Sequence, residues 1–124
     1  MKITDELLTE LENELPELDV KEIDISILIF ESDDPYKLEL LLEVFPTEVF
    51  NYYTWNKWCL TTNKTLEADG WDRVYSDVRI FFRAEKKLDV SSYLSKEEIL
   101  ISIADEFKKI TKLEDHLPRK NTKD

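Results

Sequence analysis

The chain has 124 residues, a formal net charge of −11 at pH 7 and an isoelectric point near 4.6. Its length and its hydrophobic content of 42% predict one globular domain with its own core, whereas its acidity argues against ordinary nucleic-acid binding, which needs a basic surface. The single cysteine excludes an internal disulfide, and since no apolar run is long enough to span a membrane, we expect a cytoplasmic protein without a bound cofactor or metal.

The first predicted element is an amphipathic helix that ends before Pro16. Apolar residues recur at helical spacing from Ile3 to Leu15. Thr4 is a suitable N-cap, because its hydroxyl can accept a hydrogen bond from a backbone N–H of the first turn. Pro16 disfavours a helical conformation for the residue before it, so the helix stops at or just before Leu15.

Two strands are predicted next. Residues 21–30 alternate between isoleucines on one face and polar residues on the other, which is the pattern of a half-buried strand. Residues 31–35 are typical of a turn, and residues 36–45 form the second strand, with leucines on one face. A hairpin with an even-numbered loop would place both apolar faces on the same side, and one such register sets Asp24 opposite Glu43.

Two further strands and a polar loop are predicted after the hairpin. Aromatic residues are concentrated in residues 49–62, and we assign a third strand to residues 52–61 because tyrosine and tryptophan favour strands. Residues 63–70 are polar and indicate a loop. A fourth strand is predicted over residues 71–85, where apolar and charged residues alternate.

The last predicted element is a helix that begins at a capping box, Ser95-Lys-Glu-Glu98, and ends near Leu113. Residues 114–124 are predicted to be a flexible polar tail. The order α-β-β-β-β-α predicts an α+β fold, with a single domain over residues 1–113. We expect a mostly antiparallel four-stranded sheet that carries both helices on one face.

Charge is distributed unevenly along the chain. The first 48 residues contain fifteen carboxylates and three lysines, for a net charge of −12, and the remainder has a net charge of +1. Because concentrated like charge destabilises a compact fold, its retention points to a basic partner protein. The expected partner-binding residues are acids of the hairpin and one aromatic anchor: Glu22, Asp24, Glu31, Asp33, Asp34, Glu39, Glu43 and Trp55.

The preferred functional hypothesis is a small, acidic, non-enzymatic inhibitor. In size and charge, rather than by any motif, the chain resembles toxin-immunity proteins and phage-encoded inhibitors of nucleases. That resemblance implies a partner such as a nuclease, whose basic nucleic-acid-binding surface would be occupied by carboxylates in place of phosphates. Electrostatic steering would then accelerate the encounter, with no direct contact to nucleic acid or to a membrane.

Two non-enzymatic alternatives compete with this hypothesis. Surface charge runs are usually solvated, and the acidic face could also be neutralised internally by Arg73, Arg79 and Arg83 if the fourth strand lies beside the first. Alternatively, the protein could be a chaperone or assembly adaptor that pairs through an exposed sheet edge, an arrangement that would also allow a homodimer.

A metal-dependent nuclease is the enzymatic alternative. Glu85 and Lys87 form an acid-x-lysine triplet near the end of a predicted strand, and Asp72 precedes them. In a restriction-type site, two such carboxylates hold a divalent metal and the lysine positions a water. The proline-aspartate pair usual in such sites is missing, and we do not expect an enzyme.

Overall fold

The computed structural model describes residues 1–18, 23–46, 52–74 and 82–113, which form three helices and one antiparallel sheet. The strand order in the sheet is β1-β2-β4-β3. The α+β class is confirmed, but the predicted order α-β-β-β-β-α is wrong, because a helix replaces the third strand and the fourth is divided into a short β3 and a longer β4. Residues 114–124, predicted as a tail, lie outside the described residues. In chain order the elements are α1 (Asp5–Asn13), β1 (Ile23–Glu31), β2 (Lys37–Pro46), α2 (Tyr52–Ala68), β3 (Asp72–Val74), β4 (Phe82–Asp89) and α3 (Lys96–Thr111).

The starts of α1 and α3 follow the predicted capping residues. The Thr4 hydroxyl accepts a hydrogen bond from the Leu7 N–H at 3.1 Å, and the Ser95 hydroxyl accepts one from the Glu98 N–H at 3.3 Å. The Glu98 carboxylate in turn accepts from the Leu94 N–H at 3.2 Å. Each bond satisfies a backbone donor that the helix cannot pair internally, so local sequence alone fixes where these helices begin.

The β1–β2 hairpin is confirmed, with a register two residues away from the one that paired Asp24 with Glu43. Asp24 lies opposite Phe45 instead, and nine consecutive pairs run from Ile23 to Glu31, which faces Leu38. The difference lies in the turn, where the Ser32 hydroxyl is 2.9 Å from both the Asp34 and Lys37 carbonyl oxygens. These contacts hold a wider loop of even length, and the apolar faces of both strands therefore remain on the same side.

Residues 52–61 belong to the helix α2 rather than to a strand. The buried positions Trp55, Trp58, Cys59, Thr62 and Leu66 recur every three or four residues, so helical periodicity overrides the strand preference of the aromatics. The helix continues through the predicted loop and ends at Ala68. Gly70 follows it with a φ of 88°, a left-handed conformation suited to glycine.

The strand β4 lies in the middle of the sheet and pairs with both β2 and β3. Of the two hairpin strands, β2 is the one that lies beside β4, and β1 lies at one end of the strand order. Residues 75–81, part of the predicted fourth strand, lie outside the described residues. The central position of β4 matters for charge, because it brings the bases of β4 beside the acids of β2.

One face of the sheet and all three helices form a single hydrophobic core. Leu38, Leu40 and Leu42 of β2 are fully buried on this side. Trp58 of α2 packs edge-on against Phe82 of β4, with ring centroids 5.9 Å apart. Its indole N–H donates to the Leu113 carbonyl oxygen beyond α3 at 3.2 Å, which joins the two helices above the sheet. The opposite face of the sheet carries no such cover among the described residues.

Candidate protein-binding surface

The sheet face that points away from the helices, here called the open face, is the candidate functional surface. Strand periodicity puts alternate residues of β1, β2 and β4 on it, and these residues are exposed or half-buried while their neighbours form the core. The open face consists of Asp24, Ser26, Leu28 and Phe30 of β1, Glu39, Leu41, Glu43 and Phe45 of β2, and Arg83, Glu85 and Lys87 of β4.

Three large apolar side chains form an apolar patch on the open face, Leu28, Phe30 and Leu41, and Phe45 lies farther along β2, beyond Glu43. Leu28 is 43% exposed, Phe30 44% and Phe45 38%. Leu28 and Leu41 lie directly opposite each other on neighbouring strands, where cross-strand side chains make contact. An apolar patch rimmed by charged residues is the usual composition of a protein-binding surface.

The acids of β2 face bases of β4. The Glu43 carboxylate is 3.3 Å from Nε of Arg83, and both side chains are partly exposed. Glu39 lies opposite Lys87. A partly exposed ion pair of this kind contributes at most about 1 kcal/mol to stability, but it compensates the charge of Glu43. The internal-neutralisation alternative assigned this role to Arg83 with the fourth strand beside the first, whereas β4 lies beside β2. The side chain of Arg73 and all of Arg79 lie outside the described residues.

The other predicted acids remain exposed along β1 and its turn, and we call Asp24, Glu31, Asp33 and Asp34 the acidic rim. Within the described part of the chain, none of the four takes part in an ion pair. Asp34 also has a structural role, because its carboxylate accepts a hydrogen bond from the Tyr36 N–H at 2.9 Å. Glu22 lies outside the described residues.

The three residues of the nuclease alternative lie near one another. Asp72 is opposite Glu85 in the β3–β4 pairing, and Lys87 is two residues further along β4. Burial raises the pKa of the Glu85 carboxyl above its ordinary value, and a hydrogen bond and like charge from Glu39, together with the charge of Asp72, raise it further. These carboxylates therefore repel one another across the open face.

Trp55, the predicted aromatic anchor, is only 4% exposed and lies in the core. Its ring stacks on that of Trp58, with centroids 4.9 Å apart. The predicted strand would have placed alternate aromatics at the surface, whereas the helix turns this one inward. Trp55 therefore belongs to the core and not to the exposed surface.

A charged cluster on the helix side of the sheet was not predicted from the sequence. Lys86 shares the core-facing side of β4, and its Nζ lies 2.8 Å from Oε2 of Glu106 and 3.5 Å from Oδ2 of Asp69. Glu106 also accepts from the Trp71 indole N–H at 3.3 Å, and Asp69 is 2.8 Å from Nζ of Lys109. The strand period of two could have predicted this position. Lys86 lies an even number of residues from the buried Phe82 and therefore points to the same side of the sheet.

The apolar patch could likewise be predicted from the alternation of side chains along β1. Ile25, Ile27 and Ile29 mark the buried face of β1, which leaves Leu28 and Phe30 on the polar side. The binding residues predicted on β1 were only the acids of that side.

Comparison of the chain with protein-family models, curated proteins and solved structures found no match. Among the residues described, no helix is both long enough and apolar enough to cross a membrane. The same residues contain no group of three or more histidine, cysteine, aspartate or glutamate side chains arranged to hold a metal ion. What the chain does is therefore inferred from the chemistry of its surface.

Proposed function

We propose that this protein is a non-enzymatic binding protein that occupies a basic surface of a partner protein through its open face and acidic rim. A nuclease or another nucleic-acid-handling protein is the partner class that best fits the charge, and inhibition of that partner is the proposed role. The observation that carries the proposal is the apolar patch with acids beside it, on the one sheet face that no described helix covers.

The patch and the rim have separate tasks in this proposal. Burying a leucine or phenylalanine that is about two-fifths exposed contributes on the order of 1 kcal/mol each, so the patch would supply the affinity. The rim acids would steer the encounter and set its salt dependence. Because Arg83 and Lys87 lie opposite Glu43 and Glu39, we assign the steering role to the acids of β1 and the turn.

The rim is tested by the triple variant Asp24→Asn, Glu31→Gln, Asp33→Asn, which spares Asp34 because of its hydrogen bond in the turn. The matched control makes the same charge change at exposed helical acids: Glu67→Gln, Glu97→Gln, Asp105→Asn. Proteins that are captured from host lysate at low salt and released at high salt are identified and purified. Their rates of association with the parent protein and with each variant are then measured. The rim variant should associate more slowly with a basic partner, and the control should not.

The patch is tested by the double variant Leu28→Gln, Phe30→Gln against the control Leu60→Gln, Ile101→Gln, which alters two exposed apolar residues on helices. The patch variant should dissociate from the purified partner about tenfold faster or more. Equal dissociation of the patch variant and the control would remove the open face as the binding surface.

The nuclease alternative retains one supporting observation, the pairing of Asp72 with Glu85 beside Lys87. It predicts cleavage of DNA or RNA that requires added Mg²⁺ and is lost in Lys87→Ala. Measurable Mg²⁺-dependent cleavage by the purified protein, abolished by this substitution, would replace the binding proposal with an enzymatic one.

A further inference from the structure

Among the described strands, β1 lies at one edge of the sheet. It has nine residues and pairs with β2 without interruption, so no bulge within Ile23–Glu31 twists the edge away. The segment also contains no lysine and no proline, the residues that commonly block edge strands. The described part of β3, at the other end of the strand order, has only three residues.

A shallow groove of about 380 Å³ runs beside this edge. The chain that leaves α1 supplies one wall through Leu15, Pro16 and Leu18, and Phe107 of α3 supplies another. Ile25 and Ile27 border the groove from β1. A strand added to β1 would point alternate side chains into this groove, beside Leu15 and Leu18, and the others toward the open face.

The charges along this edge have one sign. Glu17 lines the groove and is exposed, and Asp24 and Glu31 are exposed on β1. No base occurs among the described residues of β1 or among those lining the groove. A second copy of this chain would bring a second acidic edge and a further net charge of −11, whereas basic side chains on an added strand would be attracted to it.

We infer that an extended segment of the basic partner, in which apolar and basic residues alternate, adds to β1 as a further strand of the sheet. Apolar side chains enter the groove beside Leu18, and basic side chains lie along Asp24 on the open face. The inference rests on the proposed function and specifies how the partner is recognised.

The probe is a fluorescein-labelled peptide of nine residues in which leucine and lysine alternate. Two further peptides carry backbone N-methyl groups on either the odd-numbered or the even-numbered residues. Because successive N–H groups of a strand point to opposite edges, only one of the two sets can face β1. Fluorescence anisotropy should show about tenfold or greater loss of affinity for one methylated peptide and little loss for the other.

Protein variants locate the site. Leu18→Gln should weaken binding of the alternating peptide about tenfold, and the matched control Leu60→Gln, on the exposed side of α2, should not. Amide hydrogen exchange followed by NMR should show new protection in residues 24–30 when the peptide binds. This measurement on the unaltered protein holds even where a variant fails to fold.

The outcomes separate the inference from the function on which it rests. Equal affinity for both methylated peptides, absence of binding, or no protection of β1 overturns strand addition. If the rim triple variant still loses its basic partner in that case, the proposed function stands without it. Sedimentation that shows a dimer with a protected β1 in the absence of peptide would assign the edge to a second copy instead.

Discussion

Replacing Lys86 with methionine should destabilise the protein by about 2–3 kcal/mol. The substitution keeps an unbranched apolar side chain and removes the charge that lies 2.8 Å from the Glu106 carboxylate, whose side chain is 6% exposed. Leaving one member of a buried ion pair without its partner costs about 3–5 kcal/mol. Two features reduce that cost: Lys86 is itself 16% exposed, and Nζ of Lys109 remains 3.8 Å from Glu106.

Urea unfolding at neutral pH measures this effect, provided that the denaturant slope is unchanged. For a chain of this length, the loss corresponds to a fall in melting temperature of about 8–12 °C. Lys108→Met, an exposed lysine on the same helix as Glu106, is the matched control and should change stability by less than about 0.5 kcal/mol. Lys86→Met combined with Glu106→Gln should recover most of the loss, because no unpaired charge remains and the glutamine oxygen can still accept from the Trp71 indole N–H. If Lys86→Met alone were as stable as Lys108→Met, the stabilising role of the ion pair between Lys86 and Glu106 would be refuted.

Further predictions concern capping, charge and the thiol. Ser95→Ala should cost about 1 kcal/mol through loss of the N-cap, and an unchanged unfolding free energy would mean that α3 begins elsewhere. The raised pKa of Glu85 penalises its charged form in the folded state, so Glu85→Gln should stabilise the protein at pH 7; the gain should disappear below the ordinary pKa of 4.5, where the carboxyl is protonated in both states. For Asp69, burial acts to raise the pKa, but hydrogen bonds and charge, chiefly from Lys109, lower it below 3.8. The stability that this carboxylate contributes should therefore be lost as pH falls through the lowered value, and the difference between Asp69→Asn and the parent protein in acid titration should vanish there. Cys59 is buried, so native-state labelling by a thiol reagent should be slow, and labelling within minutes would contradict its placement.

The elements predicted correctly are those whose signals are local. A hydroxyl at Thr4 or Ser95 caps a helix through atoms three residues away, and the alternation of Ile25, Ile27 and Ile29 identifies a strand without reference to the rest of the fold. The parity of the hairpin loop likewise followed from the requirement that both apolar faces lie on one side.

The errors arose where two local signals conflicted or where the outcome depended on distant parts of the chain. In residues 52–61 the aromatic content favoured a strand, while the spacing of Trp55, Trp58 and Cys59 favoured a helix, and burial against the sheet decided for the helix. The position of β4 beside β2 is a long-range choice, so the bridge between Arg83 and Glu43 could not be assigned from sequence.

The buried tryptophans provide two optical signals of folding, their fluorescence emission and their circular dichroism. All three, Trp55, Trp58 and Trp71, lie in the core on the helix side of the sheet. Unfolding would move their indoles into water and shift their emission to longer wavelength. The stacked pair Trp55 and Trp58 should also give exciton coupling in the far-ultraviolet circular dichroism, which disappears when the packing is lost. A ligand on the open face touches none of them, so constant tryptophan emission during a titration would report that the fold is intact, and a label on the ligand would report binding alone.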